Sequence, residues 1–399
     1  MALYLCIYAI IFLVPFVFPD FIFRAGVLPL TLSKKSAERK DKGKYFVWIS
    51  FALIFFMFAL RHQSMGVDLG YGKTYTGYLW AFERINTYSW AEVLGLESFL
   101  NYEKGYVVFM KLVGSFWNNK QFFLAVCAFC SVFPVAAVIR RKSPDVTFSF
   151  FIYMALPVFT LVFSGLRQAI ALGLCFYAML FVEEQKPIRF VLTVFLACFF
   201  HFSAILFYVV YPLYWIKTNF QLRLLTVLAL PVVFIFRVPL FKIAGPFLGA
   251  YEPDYNGATT LMLVFIAIYV GASSYFEGND KVSRYLNIFY VACVVQILGN
   301  ISSVASRVGY YFMMVLILML PQAIEDYSGK DITLGMQYIE GSTSCGEMLR
   351  NPERTNSIGF KMAVKAVIVL FFCAWGVVNL YTTSWACSNP YYWFWQNIG

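Results

Sequence analysis

The sequence predicts an all-α, polytopic membrane protein that forms a single integral-membrane domain over residues 1–399, with about twelve transmembrane crossings. Hydrophobic residues make up 61% of the chain and charged residues only 13%, too few to cover the water-facing surface of a soluble protein of 399 residues. Apolar runs long enough to cross a bilayer recur along the whole chain. The basic residues behind the net charge of +10 cluster in short connections between these runs, which is the usual bias of membrane proteins and argues against nucleic-acid binding.

Eleven apolar runs are candidate spans. The first has neither a basic segment before it nor a small-residue cleavage site, so we interpret it as a span and not as a cleaved signal. The run around His201 is the longest, and two interpretations remain open for it: one tilted helix with a buried histidine, or two short segments that fold back at His201. The candidate spans are 3–18, 45–60, 121–139, 147–163, 169–182, 190–216, 222–236, 259–276, 285–301, 308–324 and 360–381.

The positions of Lys and Arg predict which side of the membrane each connection occupies. The loop 24–44 has seven basic residues and is expected in the cytoplasm, which places the N-terminus outside. The turn 140–142 and the loop 183–189 are expected in the cytoplasm as well. The basic stretch 217–223 reaches the same side only if the chain folds back at His201.

This topology brings polar residues from distant parts of the chain to one membrane face, the outer one. Residues 61–120 are expected as an external loop with interfacial segments, one of them 105–116, and residues 325–360 as a cytoplasmic loop. Both termini are expected outside. The polar residues at the outer face are Arg61, Asp68, Arg167, His201 and Arg307.

Arg167 and Gln168 lie near the N-terminus of a predicted helix, because Ser164 and Gly165 end the preceding span. Backbone N–H groups without helical partners and the positive end of the helix dipole point outward at such a position. An arginine there forms a site suited to an anion. The alternative is an arginine that only satisfies the helix end.

Two further arginines are predicted at the same face. Arg307 opens a helix with Tyr310 and Tyr311 on its own side, and Arg61 follows directly after a span, where it either binds a ligand or reaches the lipid headgroups. Three arginines suit a diphosphate, since one guanidinium group can bind two phosphate oxygens at once and always stays charged. The same groups would stabilise the negative charge of a leaving pyrophosphate, and the surrounding apolar spans could accept a lipid tail.

His201 and Asp68 are the candidates for a general base at this face. A histidine can exchange a proton near neutral pH, although a histidine within a span can equally be a core residue bonded to the backbone. Cys127 and Cys130 form a CxxC pattern inside a span and without a neighbouring histidine, so we interpret them as packing residues and not as metal ligands. We expect neither a metal nor a cofactor.

Five motifs occur in order within residues 58–312: LRHQSMGVDLGY, YEKGYVVFMKL, FSGLRQAIALGLCFYA, FFHFSAILF and SRVGYYF. They resemble the motifs of the EpsG/Wzy-type polysaccharide polymerases of bacterial envelopes, and LRQAIA and FHFSA are the most specific pieces. The chain has Gly-Val-Asp, ending at Asp68, where that family usually has Gly-Thr-Asp. Tyr71 and Tyr75 lie on either side of the family's usual tyrosine position.

The resemblance implies a GT-C-like or related helical bundle in the bacterial cytoplasmic (inner) membrane, with the external face and both termini in the periplasm. It implies a metal-independent glycosyltransferase that polymerises undecaprenyl-pyrophosphate-linked repeat units of an O-antigen or capsule. A hydroxyl of one lipid-linked unit attacks the anomeric carbon of another, and undecaprenyl pyrophosphate leaves. Membrane lipid and a chain-length regulator are the other expected partners, and nucleic acid is not one.

The resemblance also distributes roles among the candidate residues, with His201 preferred over Asp68 as the base. The candidates are, for the catalytic step, His201, Asp68 and Arg167; for pyrophosphate, Arg61, Arg167, Arg307, Gln168 and Tyr311; and for sugar, Tyr71, Tyr75 and Glu103.

Three other activities remain open at this point. A ligase that transfers a finished glycan to a lipid A core shares the donor and differs only in the acceptor. A flippase or transporter usually has ionisable residues near mid-membrane in broken helices, whereas charges here concentrate at span ends, apart from His201. A membrane O-acyltransferase would also use an intramembrane histidine.

Overall fold

The computed structural model describes residues 35–70, 76–248, 259–274, 280–326 and 391–396, together with isolated positions elsewhere. Every regular element in these residues is helical. Two isolated β-bridges, Arg61 with Trp393 and Phe99 with Tyr102, belong to no strand. The described part of the chain is therefore all-α, as the sequence predicts.

The helices of the described residues are numbered here in chain order. A 3-10 helix, Phe202–Val209, lies between α9 and α10. The α-helices are α1 (Lys35–Ala59), α2 (Tyr78–Thr87), α3 (Trp90–Gly95), α4 (Lys104–Phe116), α5 (Lys120–Lys142), α6 (Val146–Ala155), α7 (Pro157–Ser164), α8 (Leu166–Glu183), α9 (Pro187–Phe200), α10 (Val210–Trp215), α11 (Phe220–Ile235), α12 (Arg237–Leu248), α13 (Thr259–Ser273), α14 (Lys281–Gly299), α15 (Ser303–Met313) and α16 (Leu316–Asp326).

Several helices begin at a polar residue and then continue through apolar ones. The side-chain oxygens of Asn119, Asp145, Asp280 and Ser302 accept the first backbone N–H groups of α5, α6, α14 and α15. Such caps satisfy donors that have no partner within the helix. The starts of these helices are therefore determined locally by the sequence.

Three helices, α5, α8 and α14, are long and apolar enough to cross a membrane. Three bent pairs meet the same criterion together: α6 with α7 (59°), α11 with α12 (85°) and α15 with α16 (44°). The described residues thus contain three spans, or up to six if each bent pair is one span. The count of about twelve crossings and the side of the termini stay predictions. The predicted spans 3–18 and 360–381 and the loop 325–360 lie largely outside the described residues.

The structure adds two features to the predicted spans. The run 147–163 is not one straight helix, because Pro157 disfavours a helical conformation of the residue before it, and Leu156 is extended (φ −77°, ψ 148°). Residues 237–248, which lie in no predicted span, form α12. Pro239 is in the first turn of α12, where a missing N–H group costs no helical hydrogen bond.

The chain folds back at His201, which decides between the two interpretations of the run 190–216. His201 ends α9 in an extended conformation (φ −156°, ψ 117°). The ring of Phe190, at the start of α9, lies 5.3 Å from the ring of Tyr211 and 6.2 Å from that of Tyr208. Residues at similar distances before and after His201 are thus neighbours, so the two segments are antiparallel.

One end of the bundle collects the connections that are expected in the cytoplasm. The carboxylate of Glu183 forms ion pairs with Lys142 (3.0 Å) and Lys281 (3.8 Å), and the hydroxyl of Tyr285 donates a hydrogen bond to it (2.6 Å). These residues come from the ends of α5, α8 and α14. The sequence predicts the turn 140–142 and the loop 183–189 on one side of the membrane, and the ion pair between Lys142 and Glu183 agrees with that grouping.

Arg223 belongs to the same end. Its buried guanidinium donates to the hydroxyls of Thr218 (2.8 Å) and Ser283 (2.8 Å), and Ser283 lies in the first turn of α14. The basic stretch 217–223 therefore lies beside the other predicted cytoplasmic connections, which requires the turn at His201.

The opposite end contains the residue that follows α1 and the described part of the C-terminal segment. His62 donates its backbone N–H to the carbonyl of Tyr392 (2.8 Å), and Phe394 donates to that of Leu60 (2.9 Å). Both segments are predicted outside from the sequence. Their contact places them at one end of the bundle, whichever side of the membrane that end occupies.

Candidate functional site

Three residues from distant parts of the chain meet at this second end. Glu103 precedes α4, Arg167 lies in the first turn of α8, and His201 lies between α9 and the 3-10 helix. Glu103 Oε2 forms an ion pair with Arg167 Nη1, and Glu103 Oε1 lies 3.1 Å from His201 Nδ1. The three side chains are 18%, 18% and 28% exposed, so the cluster is partly buried but open to a ligand.

Local backbone features bring Glu103 to the other two residues. Leu100 and Asn101 have positive φ values (51° and 56°), which turn the chain just before Glu103. Gly105 lets α4 approach the end of α9, because a Cβ at Gly105 would lie 2.7 Å from the carbonyl oxygen of Phe199. Both features lie within three residues of Glu103 in the sequence.

Arg167 is held on several sides. Its Nε donates to the hydroxyl of Tyr78 (3.3 Å), and its Nη1 reaches the carbonyl of Asn101 (3.5 Å) as well as Glu103. The guanidinium lies over the ring of Tyr102, with Cζ 4.4 Å from the centroid. Nη2 makes no hydrogen bond with any residue that the structure describes, so its two N–H groups remain for a ligand.

The charge of Glu103 is determined by its partners. Burial acts to raise the pKa of its carboxyl group, but the hydrogen bond from His201 and the positive charge of Arg167 outweigh burial and lower the pKa to about 2. Glu103 is therefore an ionised acceptor at neutral pH. Burial raises the pKa of Tyr78 and Tyr102, so both phenols keep their protons.

Three further predicted residues lie beside this cluster. Gln168, next to Arg167, donates its Nε2 to the backbone carbonyl of Arg307 (3.0 Å). Tyr311, one turn further along α15, accepts a hydrogen bond from Ser203 (3.2 Å), two residues after His201. These contacts bring α15, α8 and the 3-10 helix together. The Arg307 side chain is half-buried, and its contact with pyrophosphate stays a prediction.

The other two predicted residues, Arg61 and Asp68, differ in burial: Arg61 is buried and Asp68 is exposed. Arg61 is 1% exposed, donates to the carbonyl of Val162 (2.8 Å) and lies 5.1 Å from the ring centroid of Phe163. It thus supports the segment leading to Arg167. Asp68 is exposed, and its negative charge adds to the effect of burial on the pKa of Tyr78 and Tyr102. The functional roles of both residues stay predictions.

Tyr71 and Tyr75, predicted to bind sugar, lie outside the described residues. Sequence reasoning missed Tyr78 and Tyr102, which contact Arg167, and Ser203, which contacts Tyr311. Tyr102 stands in the YEKGY motif beside Glu103 and could have been found there. Nothing in the sequence near Tyr78 indicates that it reaches Arg167.

The loop after Arg61 docks on the segment that carries Arg167. Val67 donates its backbone N–H to the hydroxyl of Ser164 (3.2 Å). Gly66 has φ +121°, and a Cβ there would overlap the carbonyl oxygen of Phe163. A residue with a side chain therefore fits neither the conformation nor the space.

We expect Gly66→Ala to lower the thermal stability of the detergent-purified protein, since the backbone strain alone costs about 1–3 kcal/mol. The control is Gly271→Ala in α13, where a Cβ would meet nothing within 4 Å and where alanine favours the helix. Thermal unfolding followed by size-exclusion chromatography measures both variants. Equal stability of the two would contradict the docking.

Among the described residues, no three His, Cys, Asp or Glu side chains are grouped as metal ligands would be. The sequence matches the EpsG family over residues 44–335, a range that includes all five motifs and every cluster residue named above. Neither the curated proteins nor the solved structures contain a significant match to the chain.

Proposed function

Since the chain belongs to the EpsG family, a family of polysaccharide polymerase-like membrane proteins, we propose that it polymerises undecaprenyl-pyrophosphate-linked oligosaccharide repeat units. The reaction takes place at the periplasmic face of the bacterial inner membrane, in a bundle of about twelve crossings with periplasmic termini. It is a glycosyl transfer that requires no metal, and its products are an O-antigen or capsular polysaccharide.

The contact of Arg167, Glu103 and His201 is the observation that carries this proposal. The cationic group and the proposed base lie together, because Glu103 bridges the guanidinium of Arg167 and the imidazole of His201, which are far apart in sequence. The two N–H groups of Arg167 Nη2 bind oxygens of the donor's pyrophosphate, to which Arg307 is a second cationic contact. The positive charge stabilises the pyrophosphate as it leaves.

The chemical step transfers a glycosyl group from the pyrophosphate of the donor to a hydroxyl of the acceptor. A hydroxyl oxygen of the acceptor unit attacks the anomeric carbon of the donor and forms the new glycosidic bond. The bond from that carbon to the pyrophosphate oxygen breaks, and undecaprenyl pyrophosphate leaves with the electron pair. The hydroxyl proton passes to His201. Asp68 is the alternative base.

The decisive experiment is incubation of the purified protein with synthetic lipid-linked repeat units in the presence of a chelator. A ladder of products separated by one repeat unit is expected on a gel. Absence of longer products from an otherwise folded protein would reject polymerisation, and products that appear only after a divalent metal is added would reject metal independence.

A ligase shares the donor chemistry, so the acceptor must distinguish it. A strain lacking the protein should accumulate single repeat units on the lipid carrier if it is a polymerase. Accumulation of long lipid-linked chains would instead indicate a ligase.

The side of the membrane needs its own test, which uses cysteines introduced at exposed positions in a background without native cysteines. Glu97→Cys, in the connection that leads to Glu103, should react with a membrane-impermeant maleimide added to intact spheroplasts. Lys186→Cys, at the Glu183 end, should react only after the membrane is opened. Both residues are exposed. The reverse pattern would overturn the periplasmic placement.

A further inference from the structure

Glu103 uses its two carboxylate oxygens for different partners. Oε2 pairs with Arg167, whereas Oε1 accepts from the backbone N–H of Phe202 (3.0 Å) and lies 3.1 Å from His201 Nδ1. We propose that Glu103 is a positioning residue for His201: it holds the proton of the neutral imidazole on Nδ1 and thereby leaves the Nε2 lone pair as the base. The catalytic consequence rests on the proposed function, but the position of the proton does not.

The position of the proton follows from the chemistry of the carboxylate. An ionised carboxylate only accepts hydrogen bonds, and Glu103 is ionised because of Arg167 and His201. The nitrogen that faces it must therefore carry the hydrogen. In a neutral imidazole the other nitrogen then has the lone pair. Nε2 makes no hydrogen bond with any residue that the structure describes, so it is left for the acceptor hydroxyl.

The carboxylate cannot easily turn away from the imidazole. Arg167 holds Oε2, and the N–H of Phe202, the residue after His201, holds Oε1. His201 itself donates its backbone N–H to the carbonyl of Ala197 (3.0 Å), which ends α9 at this point. Backbone and side chain of His201 are thus both attached, and the ring has a defined orientation. When His201 accepts a proton, its new positive charge faces the negative charge of Glu103, which stabilises that state.

Nitrogen NMR of protein labelled at histidine tests the proton position without any substrate. The chain has two histidines, so His62→Asn leaves only His201, and asparagine can still accept the local hydrogen bond from Ser64. At a pH where the nitrogen shifts themselves show a neutral imidazole, we expect the hydrogen on Nδ1. Adding Glu103→Gln should give a mixture of both neutral forms or a shift to Nε2–H. A hydrogen on Nε2 in the presence of Glu103 would overturn the proposal.

Steady-state kinetics test the consequence. Glu103→Gln should lower kcat by about 100-fold and change KM for the lipid-linked donor by less than about threefold, because the amide does not select one neutral form of His201. Glu103→Asp, which keeps the charge, should recover part of the rate. The control is Glu83→Gln, which removes one partner of an exposed ion pair with Lys120 and should keep the wild-type rate.

The outcomes separate the two claims. A loss that lies mainly in KM, with no recovery by aspartate, would show that Glu103 acts on donor binding through Arg167 and would overturn its role toward His201. If wild-type protein makes no ladder but NMR finds the hydrogen on Nδ1, the proposed function fails while the positioning stands. Size-exclusion profiles like that of the wild type establish that each variant is folded.

Discussion

Arg167→Ala is expected to abolish long-chain polymer, with a fall in kcat/KM of about 1,000-fold. The substitution removes the N–H donors that would stabilise the leaving pyrophosphate. It also leaves the partly buried carboxylate of Glu103 without its cationic partner, and an unpaired charge in such a place destabilises the local structure. Gel laddering with synthetic lipid-linked repeat units measures the loss.

Two comparisons separate these effects. Arg167→Lys keeps a positive charge opposite Glu103 but lacks the planar pair of donors, so it should remain folded and still have only a small fraction of the wild-type rate. Arg84→Ala removes an exposed arginine from α2, at the same end of the bundle, and should leave the rate unchanged. Normal ladders from Arg167→Ala would reject the role of this residue in the reaction.

His201→Ala is expected to reduce kcat by about 1,000-fold while the donor still binds. Its imidazole is the proposed acceptor of the proton of the attacking hydroxyl, and the other histidine of the chain, His62, is bonded to Ser64 on the loop after α1. The measurements are kcat at saturating lipid-linked donor and the affinity for the donor by competition.

The control is His62→Asn, which removes the other histidine and should keep the rate. Asp68→Asn addresses the alternative base. If His201→Ala retains the wild-type rate and Asp68→Asn loses it, Asp68 is the base and the assignment of His201 is wrong.

The helical, membrane-spanning class was predictable from the sequence, because apolar runs and polar caps are local features. The bends were less so. Pro157 marks one of them in the sequence. The bend between α15 and α16 has no proline at it, since the first proline in residues 303–326 is Pro321, inside α16. The turn at His201 appeared only as one of two options, inferred from the distribution of positive charges on either side.

The candidate site was predictable in part. Arg167, Gln168 and His201 stood out because a polar residue beside an apolar run is costly unless it has a partner or a function. Glu103 was noticed, but its proposed role was sugar binding, since nothing in a single sequence tells which partner a carboxylate will meet. The tyrosines around Arg167 were not distinguishable among the many aromatic residues of the chain.

By itself, the sequence determined that the chain is a helical membrane protein, and its motifs indicated the EpsG family, because hydrophobicity and motif spacing are properties of neighbouring residues. Only the tertiary structure decided that Arg167 and His201 share one carboxylate. Glu103 is 64 residues from Arg167 and 98 from His201, and contacts at such separations depend on how α4, α8 and α9 pack. Packing of this kind results from the shapes of whole helix surfaces, such as the close approach at Gly105, and no local pattern encodes it.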